Sequence, residues 1–255
     1  MAMVKATSYG SGSFEIANVL QFHRVDYLAV AYTDEGVELR KAGITLPIMV
    51  MNPEMQSFEA MIQYNLEPEI YNFRLLNQLS EVVKKQASPV EFPIHLKLDT
   101  GMHRLGFEEH EVNELLVRLQ NNKNIKVQSI FTHLAASDEA KHDSFTLTQL
   151  EKFRSISQRI TSAFKYPILH HALNSAGSLR FDDAQFDMVR LGIGLYGFAH
   201  STHEQRHLQN VATLRTVISQ IKNISAGETI GYNRKATLAR HTQVATVAIG
   251  YADGI

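Results

Sequence analysis

Short apolar runs alternate with longer amphipathic stretches through the first 197 residues of this 255-residue chain. Runs this short predict buried strands, and the stretches between them repeat apolar residues at helical spacing. Strands that alternate with helices in this way are typical of an α/β protein with a parallel sheet. Eight strands are predicted, at residues 1–4, 27–31, 48–51, 69–72, 93–99, 127–134, 168–174 and 188–196.

Eight parallel strands with intervening helices can close into a TIM-like (β/α)8 barrel. In such a barrel the active site lies at the C-terminal ends of the strands, whichever chemistry it performs. We therefore predict a barrel domain over residues 1–199. An open doubly wound sheet remains the alternative, because periodicity does not distinguish the two.

The pattern changes after residue 199. Residues 201–210 are polar and rich in histidine, and strands are predicted at 214–221 and 244–249 with a turn at 226–228 between them. This predicts the start of an all-β second domain over residues 200–255. Because the last predicted strand lies so close to the end of the sequence, we expect that domain to be incomplete.

Composition excludes several classes of protein. The net charge of −1 argues against the basic stripe of a nucleic-acid-binding protein, and the absence of cysteine excludes disulfides and thiolate metal sites. No apolar run approaches the roughly 18 residues of a membrane span, and the first residues do not resemble a signal peptide. We expect a cytoplasmic protein that binds neither nucleic acid nor membrane.

Two familiar patterns lack the context that their chemistry requires. His203-Glu204-Gln205-Arg206-His207 matches a zinc-protease motif, but it lies in a polar connector without an apolar helical face, so no metal is predicted. Gly192-Ile193-Gly194-Leu195-Tyr196-Gly197 matches a dinucleotide fingerprint, but no clear crossover helix follows it. Its glycines could still let backbone N–H groups approach a phosphate closely.

The predicted strand at 93–99 alternates strictly, so His95, Lys97 and Asp99 share one face. With helices packed outside a barrel, that charged face points inward. Because buried charges are costly unless paired, the pattern indicates a polar cluster beneath a site. Arg104 follows in the next loop, where it could bind a carboxylate or phosphate in bidentate fashion.

Reactive side chains recur where predicted strands end. A lysine at such a strand end is well placed for covalent chemistry. Functional residues that converge from the ends of several strands are typical of a barrel enzyme. Arg190 lies within the eighth predicted strand. The residues at the ends are Lys5, Arg104, His133, Asn174, Ser175 and Gly192.

Six short motifs contain these strand ends. They are Val4-Lys5-Ala6-x-x-Tyr9-Gly10, Lys97-x-Asp99-Thr100-Gly101-Met102-x-Arg104-Leu105-Gly106, Phe131-Thr132-His133, Asn174-Ser175-Ala176, Met188-Val189-Arg190-x-Gly192-Ile193 and Gly250-Tyr251-Ala252-Asp253-Gly254. In residues and in order they resemble the alanine racemase family, fold-type III pyridoxal 5'-phosphate enzymes with a barrel and a C-terminal β-domain. The resemblance runs along nearly the whole chain.

The resemblance implies a catalytic role for two residues. Lys5 would bind the cofactor as a Schiff base and act as one acid–base group, and Tyr251 would be the other, reaching the site of a partner subunit in a homodimer. Arg190 would hydrogen-bond the pyridine nitrogen of the cofactor, with His171 supporting it from behind. His133 would lie against the cofactor ring.

The remaining roles concern the phosphate and the substrate. Arg104 would bind the substrate carboxylate and steer the catalytic tyrosine, and Lys97, often carbamylated in the family, would position Arg104. Asp138 would lie near the substrate entrance, and Asn174 would support the site. The phosphate ligands would be Tyr9, Ser175, Gly192 and Ile193.

By this resemblance the chain would interconvert L-alanine and D-alanine by a two-base mechanism and supply D-alanine for peptidoglycan. Two alternatives stay open: a non-catalytic carrier barrel for pyridoxal phosphate, and a racemase of other or broader specificity. A related barrel decarboxylase is a third reading, although it would normally have an acidic residue where Arg190 stands.

The sequence departs from the family in two respects. Ser11 stands where the family usually has a histidine. The family also carries residues before the lysine strand and continues its β-domain beyond the position of Tyr251, so we expect the natural chain to be longer. Fusion behind a cell-wall ligase, which occurs in some bacteria, is one form that such a chain could take.

Overall fold

Parallel strands paired in chain order form the centre of the structure, a computed structural model that describes residues 1–86 and 91–254. They make one seven-stranded sheet in the order β1 to β7, with each strand parallel to the next. The strands are β1 (Ala2–Met3), β2 (Leu28–Val30), β3 (Ile48–Val50), β4 (Leu66–Ile70), β5 (Phe92–Lys97), β6 (Ile125–Phe131) and β7 (Leu169–His171).

The segment after β7 joins the two edges of this sheet. On one side, the Arg190 N–H donates to the Leu173 carbonyl (2.9 Å). On the other, the Leu191 N–H donates to the Met1 carbonyl (2.9 Å), and the Met3 N–H donates to the Leu191 carbonyl (2.8 Å). The ring of strands is therefore closed, and the predicted TIM-like barrel is confirmed.

The eighth strand, predicted at residues 188–196, is wrong in its extent. Leu191 forms an isolated parallel bridge with Ala2, and Ile193–Tyr196 is a 3₁₀ helix. The reason lies at Gly192, whose φ of −115° and ψ of −105° turn the chain away from the extended conformation. An apolar run that contains two glycines here makes a turn against the ends of the barrel strands.

Helices follow the strands and pack outside them. In the longest, an apolar stripe of Leu150, Phe153, Ile156 and Ile160 is buried, because residues three and four apart share a helix face. The helices are α1 (Ser13–Phe22), α2 (Thr33–Lys41), α3 (Phe58–Gln63), α4 (Phe73–Gln86), α5 (Val112–Gln120), α6 (Asp143–Thr161), α7 (Ser175–Arg180) and α8 (Thr202–Gln205). Short 3₁₀ helices lie at Met55–Ser57, Glu109–Glu111, Ala140–His142 and Asp182–Ala184.

The two faces of the strands bury different kinds of side chain. Along β5, Ile94 and Leu96 belong to the apolar layer beneath the helices, whereas His95 and Lys97 are buried polar residues inside the barrel. The inward charged face predicted for this strand is confirmed. The apolar side of the interior is filled by Met1, Met3, Tyr27, Ala29, Met49 and Phe131.

The chain divides into two compact units, Met1–Val211 and Ala212–Ile255. The second contains two antiparallel pairs, β8 (Ile218–Ile224) with β11 (Thr242–Val247), and β9 (Thr229–Ile230) with β10 (Ala236–Thr237). Short 3₁₀ helices lie at Tyr232–Arg234 and Tyr251–Asp253. Both predicted strands form, although the first begins at residue 218. None of residues 212–254 is buried.

The histidine motif at residues 203–207 lies at the short helix α8, where the rings of His203 and His207 are 5.6 Å apart. No cluster of three potential metal ligands is found within residues 1–86 and 91–254. In the same part of the chain, no helix combines the length and the apolar character needed to cross a membrane.

Candidate active site

A pocket of about 400 Å³ lies at the C-terminal ends of the barrel strands. Lys97 and His171 are buried outside its lining, and Tyr251 belongs to the second unit, where it is 88% exposed. The other ten predicted site residues line the pocket: Lys5, Tyr9, Arg104, His133, Asp138, Asn174, Ser175, Arg190, Gly192 and Ile193.

Lys5 stands at the start of a left-handed turn. Four residues in succession, Ala6 to Tyr9, have φ between 52° and 54°. The Ser8 N–H donates to the Val4 carbonyl (3.0 Å), which closes the turn directly after β1. Left-handed geometry costs L-residues about 1–2 kcal/mol each, so contacts elsewhere must stabilise the turn. Strain of this kind is concentrated at functional sites.

Glu35 in α2 supplies such contacts. Its Oε1 accepts the Ala6 N–H (2.6 Å), and its Oε2 accepts the N–H groups of Ala31 (2.6 Å) and Tyr32 (3.1 Å). One carboxylate thereby joins the residue after Lys5 to the end of β2. Glu35 is not among the residues predicted from sequence, because an acidic residue in the first turn of a helix is a common helix-start signal.

Elsewhere in the pocket lining, backbone N–H groups converge on one hydroxyl. Ser175 Oγ accepts the N–H groups of Gly192 (2.9 Å) and Gly194 (3.2 Å). A Cβ on Gly192 would lie 2.6 Å from Tyr9 Oη, so a larger residue here would displace the Tyr9 side chain. Partial burial raises the pKa of Tyr9, which keeps its phenol a donor at neutral pH. This cradle, two N–H groups gathered beside the hydroxyls of Tyr9 and Ser175, is the kind of concavity that can bind an anion.

Arg190 is 3% exposed and is held by backbone carbonyls. Its guanidinium donates to the carbonyls of Thr132 (2.7 Å), Ala172 (3.0 Å) and His171 (3.1 Å). Burial lowers the pKa of Arg190 to about 10, which leaves it charged at neutral pH. A donor-only cation is thus fixed in direction beside the pocket.

A chain of side-chain hydrogen bonds runs from Arg190 through the barrel. Because Arg190 can only donate, His171 Nδ1 accepts (2.9 Å), and its Nε2–H must donate to Ser129 Oγ (2.8 Å). Ser129 then donates to His95 Nδ1 (2.6 Å), whose Nε2–H donates to Glu67 (2.8 Å). Burial and the Arg190 charge lower the pKa of His171 well below 6.5, in agreement with a neutral ring.

His133, Asn174 and Asp138 complete the lining. Burial, reinforced by Arg190, lowers the pKa of His133 to about 3, so the imidazole is neutral. Asn174 Oδ1 accepts the Gly177 N–H (2.8 Å), which caps α7 and orients the serine that follows. The Asp138 carboxylate lies 3.5 Å from the His200 imidazole at the pocket edge.

Arg104 is carried by a loop with a defined shape. Asp99 Oδ1 accepts the N–H groups of Gly101 (2.9 Å) and His103 (3.1 Å). At the far end of the loop, Gly106 has φ of 131°, and a Cβ there would lie 2.5 Å from the Asp99 nitrogen. Glycine is therefore required for the loop to return against β5 and present Arg104 to the pocket.

Lys97 is buried next to the pocket, with its ammonium 3.5 Å from Glu69 Oε1. Glu69 is 1% exposed and lies on β4. An inward lysine needs a partner, but the sequence pattern does not identify it, because Glu69 comes from another strand.

The fold and the pocket define a barrel enzyme with a lysine, a buried arginine and the Ser175 cradle around one pocket. Two family models match, described as the N-terminal domain of alanine racemase over residues 1–200 and its C-terminal domain over residues 211–255. A relative named alanine racemase, from Treponema denticola, is 37% identical over 257 residues. The match covers 99% of this chain and 67% of the relative. The chain belongs to the alanine racemase family.

Solved structures agree with this assignment. An alanine racemase from Clostridium difficile 630 has a TM-score of 0.84 and 34% identity, covering 99% of this chain and 67% of that one. An alanine racemase from Bartonella henselae, solved with covalently bound pyridoxal phosphate, has a TM-score of 0.82 and 27% identity. That match covers 99% of this chain and 69% of the other.

Proposed function

We propose that this chain carries the active site of an isomerase that interconverts L-alanine and D-alanine with pyridoxal 5'-phosphate. The observation that carries the proposal is the arrangement around one pocket of Lys5, the cradle at Ser175 and Gly192, and Arg190. These residues match three polar features of the cofactor: its aldehyde, its phosphate and its ring nitrogen. The D-alanine produced would supply peptidoglycan synthesis in the cytoplasm.

The residues present fit this cofactor. Tyr9, Ser175, Gly192 and Ile193 would hold the phosphate, because the Tyr9 and Ser175 hydroxyls can donate to an anion and Ser175 is fixed there by the N–H groups of Gly192 and Gly194. Lys5 would hold the cofactor covalently. When bound, the cofactor supplies an electron sink that allows the proton on the substrate Cα to leave.

Arg190 would determine how strong that sink is. A guanidinium donates hydrogen bonds and keeps its proton, so the ring nitrogen would accept a bond without becoming protonated. A weaker sink favours return of the proton to Cα over side reactions. The hydrogen bonds to three carbonyls keep Arg190 directed at one place, and His133 would lie against the ring as a neutral side chain.

Racemisation requires proton removal on one face of Cα and proton return on the other. Lys5 would serve one face, and the partner subunit's Tyr251 would serve the other in a homodimer. Arg104 would bind the substrate carboxylate, as a bidentate donor does. Asp138 would lie at the substrate entrance.

The alternatives fit less well. A carrier barrel for the cofactor would need no second unit, whereas residues 211–255 match the C-terminal domain of alanine racemase. A barrel decarboxylase would have an acid where Arg190 is buried.

A chiral assay of alanine with added cofactor, performed on the full-length gene product, tests the proposal. We expect both enantiomers to interconvert. In deuterated water, Tyr251→Phe should impair Cα proton exchange in one direction more than in the other. Equal loss in both directions would argue against two bases. Tyr232→Phe, at another exposed tyrosine of the second unit, is the matched control and should leave exchange unchanged.

A further inference from the structure

Four hydrogen bonds in series connect Arg190, beside the pocket, to Glu67 on the far side of the barrel interior. The groups between them are the side chains of His171, Ser129 and His95, which are completely buried. Taken in order from Arg190 to Glu67, the four distances are 2.9, 2.8, 2.6 and 2.8 Å. Glu67 is the second residue of β4, and its side chain is 14% exposed. The series therefore runs from the candidate active site to a residue in contact with solvent.

The two ends of this series have opposite hydrogen-bonding properties. A guanidinium only donates, and a carboxylate only accepts, whereas imidazole nitrogens and hydroxyls can do either. Because every bond needs one donor and one acceptor, the two ends permit a single arrangement, in which His171 and His95 both carry their proton on Nε2. Arg190 determines the tautomer of His171, and Glu67 determines that of His95. The direction of the Ser129 hydroxyl follows from Glu67, because His95 Nδ1 is left as an acceptor.

The reverse arrangement would place a donor against a donor beside the pocket. His95 would carry its proton on Nδ1 and donate to Ser129, and Ser129 would donate to His171 Nε2. The His171 proton would then lie on Nδ1, facing Arg190 Nη1 only 2.9 Å away. Arg190 would have to turn to separate the two donors. Glu67 prevents this arrangement, since its carboxylate requires the proton of His95 to lie on Nε2.

We propose that Glu67 is a positioning residue for Arg190, because its carboxylate sets the direction of the hydrogen bonds and so keeps His171 Nδ1 free to accept from Arg190. The inference deepens the proposed function and rests on it, since Arg190 would in turn hold the ring nitrogen of the cofactor. Glu67 itself lies outside the lining of the pocket. It acts on the site only through the series of buried side chains.

Removal of the Glu67 carboxylate shows how the effect reaches Arg190. The Nε2–H of His95 would lose its acceptor in a site without solvent, and an unpaired buried N–H is costly. Moving that proton to Nδ1 relieves the cost, because His95 can then donate to Ser129. The Ser129 hydroxyl thereby loses its own acceptor and turns to His171 Nε2. The His171 proton then moves to Nδ1, where it opposes Arg190.

Nitrogen NMR of the full-length holoenzyme with ¹⁵N-labelled histidine tests the proposal, because the two neutral tautomers differ in their ring-nitrogen shifts. In the unchanged protein we expect the Nε2–H tautomer at both His95 and His171. Glu67→Leu should convert His95 to the Nδ1–H tautomer and part of the His171 population with it. Glu67→Gln keeps an acceptor oxygen and should keep most of the original tautomers. Tyr27→Phe is the matched control, because it removes the other hydrogen bond to Glu67 (3.2 Å) and leaves the carboxylate in place, so it should change neither histidine.

Kinetics provides a second readout. Glu67→Leu should lower kcat by about tenfold and change the KM for alanine less, because Arg190 would act on the cofactor whereas Arg104 would bind the substrate carboxylate. Glu67→Gln should recover most of the lost kcat, and Tyr27→Phe should leave it unchanged. A merely structural role for Glu67 would give no such link between kcat and the tautomer of His171.

A proton on Nδ1 of either histidine in the unchanged protein overturns the proposal, and so does a Glu67→Leu protein whose His171 keeps only the Nε2–H tautomer. If Glu67→Leu does not fold, Glu67→Met removes the same carboxylate and is judged by the same signals. The spectrum requires no racemase activity. An unchanged protein that does not interconvert alanine would therefore contradict the proposed function and leave the tautomer assignment standing.

Discussion

The two walls of the pocket are held in opposite ways. Lys5 precedes a strained left-handed turn, which one carboxylate, that of Glu35, ties to the neighbouring strand end. Arg190 is buried, and three backbone carbonyls and His171 accept its hydrogen bonds. The wall that carries Lys5 is held mainly by one carboxylate, whereas the wall that carries Arg190 is held by several hydrogen bonds to buried groups.

This difference matches the work of each wall. The lysine must bond to a cofactor, give it up to a substrate and move a proton, so its segment benefits from a geometry that is not fully locked. The arginine has only to keep one N–H direction. A buried group held by several carbonyls does that best, because any movement would leave those carbonyls unpaired.

Removing Lys5 should have the largest effect. Lys5→Ala should abolish the visible imine absorbance of added pyridoxal phosphate, because among the described residues Lys5 is the lysine that lines the pocket. Absorption spectra of the full-length protein measure this. Lys5→Arg keeps the charge and should also lose the band, whereas Lys41→Ala should keep it. A normal spectrum in Lys5→Ala would contradict the assignment of the lysine.

Removing Arg190 removes the hydrogen bonds that hold the second wall of the pocket. Arg190→Met should lower the free energy of unfolding by about 3–5 kcal/mol, since the carbonyls of Thr132, His171 and Ala172 lose their donors in a buried site. Denaturant titration measures the loss. Arg118→Met removes a partly exposed arginine, which is paired with Glu114 and lies over the Phe73 ring, and should cost about 1 kcal/mol. Similar losses of unfolding free energy in Arg190→Met and Arg118→Met would contradict the role given to burial of Arg190.

Removing the Glu35 carboxylate from the Lys5 turn should lower the free energy of unfolding less than removing Arg190 does. Glu35→Ala frees three N–H groups at the turn, and we expect it to lower the free energy of unfolding by about 1–3 kcal/mol. Cofactor affinity should fall with it, because Lys5 directly precedes the turn and would lose its fixed position. Glu38→Ala, at an exposed position of the same helix, should change stability by less than about 0.5 kcal/mol. If Glu35→Ala and Glu38→Ala lowered stability equally, the Glu35 carboxylate would not be what holds the turn.

The smallest effect is the pH dependence of the free energy of unfolding that comes from His133, which lies beside Arg190. The pKa of His133 falls from 6.5 to about 3 on folding, so below pH 6.5 the unfolded chain binds a proton that the folded chain does not. The free energy of unfolding should therefore fall with pH, by about 1 kcal/mol over the first unit below 6.5. Denaturant titrations with and without His133→Gln measure that share. The exposed His110→Gln is the control, and a slope unaffected by His133→Gln would contradict the assignment.

Much of the site could be predicted because the barrel brings strand ends together. Once the strands were read as parallel, residues as distant as Lys5 and Ser175 had to meet at one end. The eighth strand was predicted wrongly because apolar residues around Gly192 satisfy a strand pattern, although the backbone turns there. Tyr251 stays a prediction, since it belongs to the second unit.

By itself, the sequence determined the barrel and the chemical types at its strand ends, because apolar period and strand order follow from local pattern. Tertiary structure alone decided how those groups are held. The left-handed turn depends on Glu35, the direction of hydrogen bonds at His171 depends on Arg190, and the partner of Lys97 is Glu69. Each of these is a contact between segments distant in the chain, where the cost of burying a charge or an N–H group is met by a partner that no local pattern identifies.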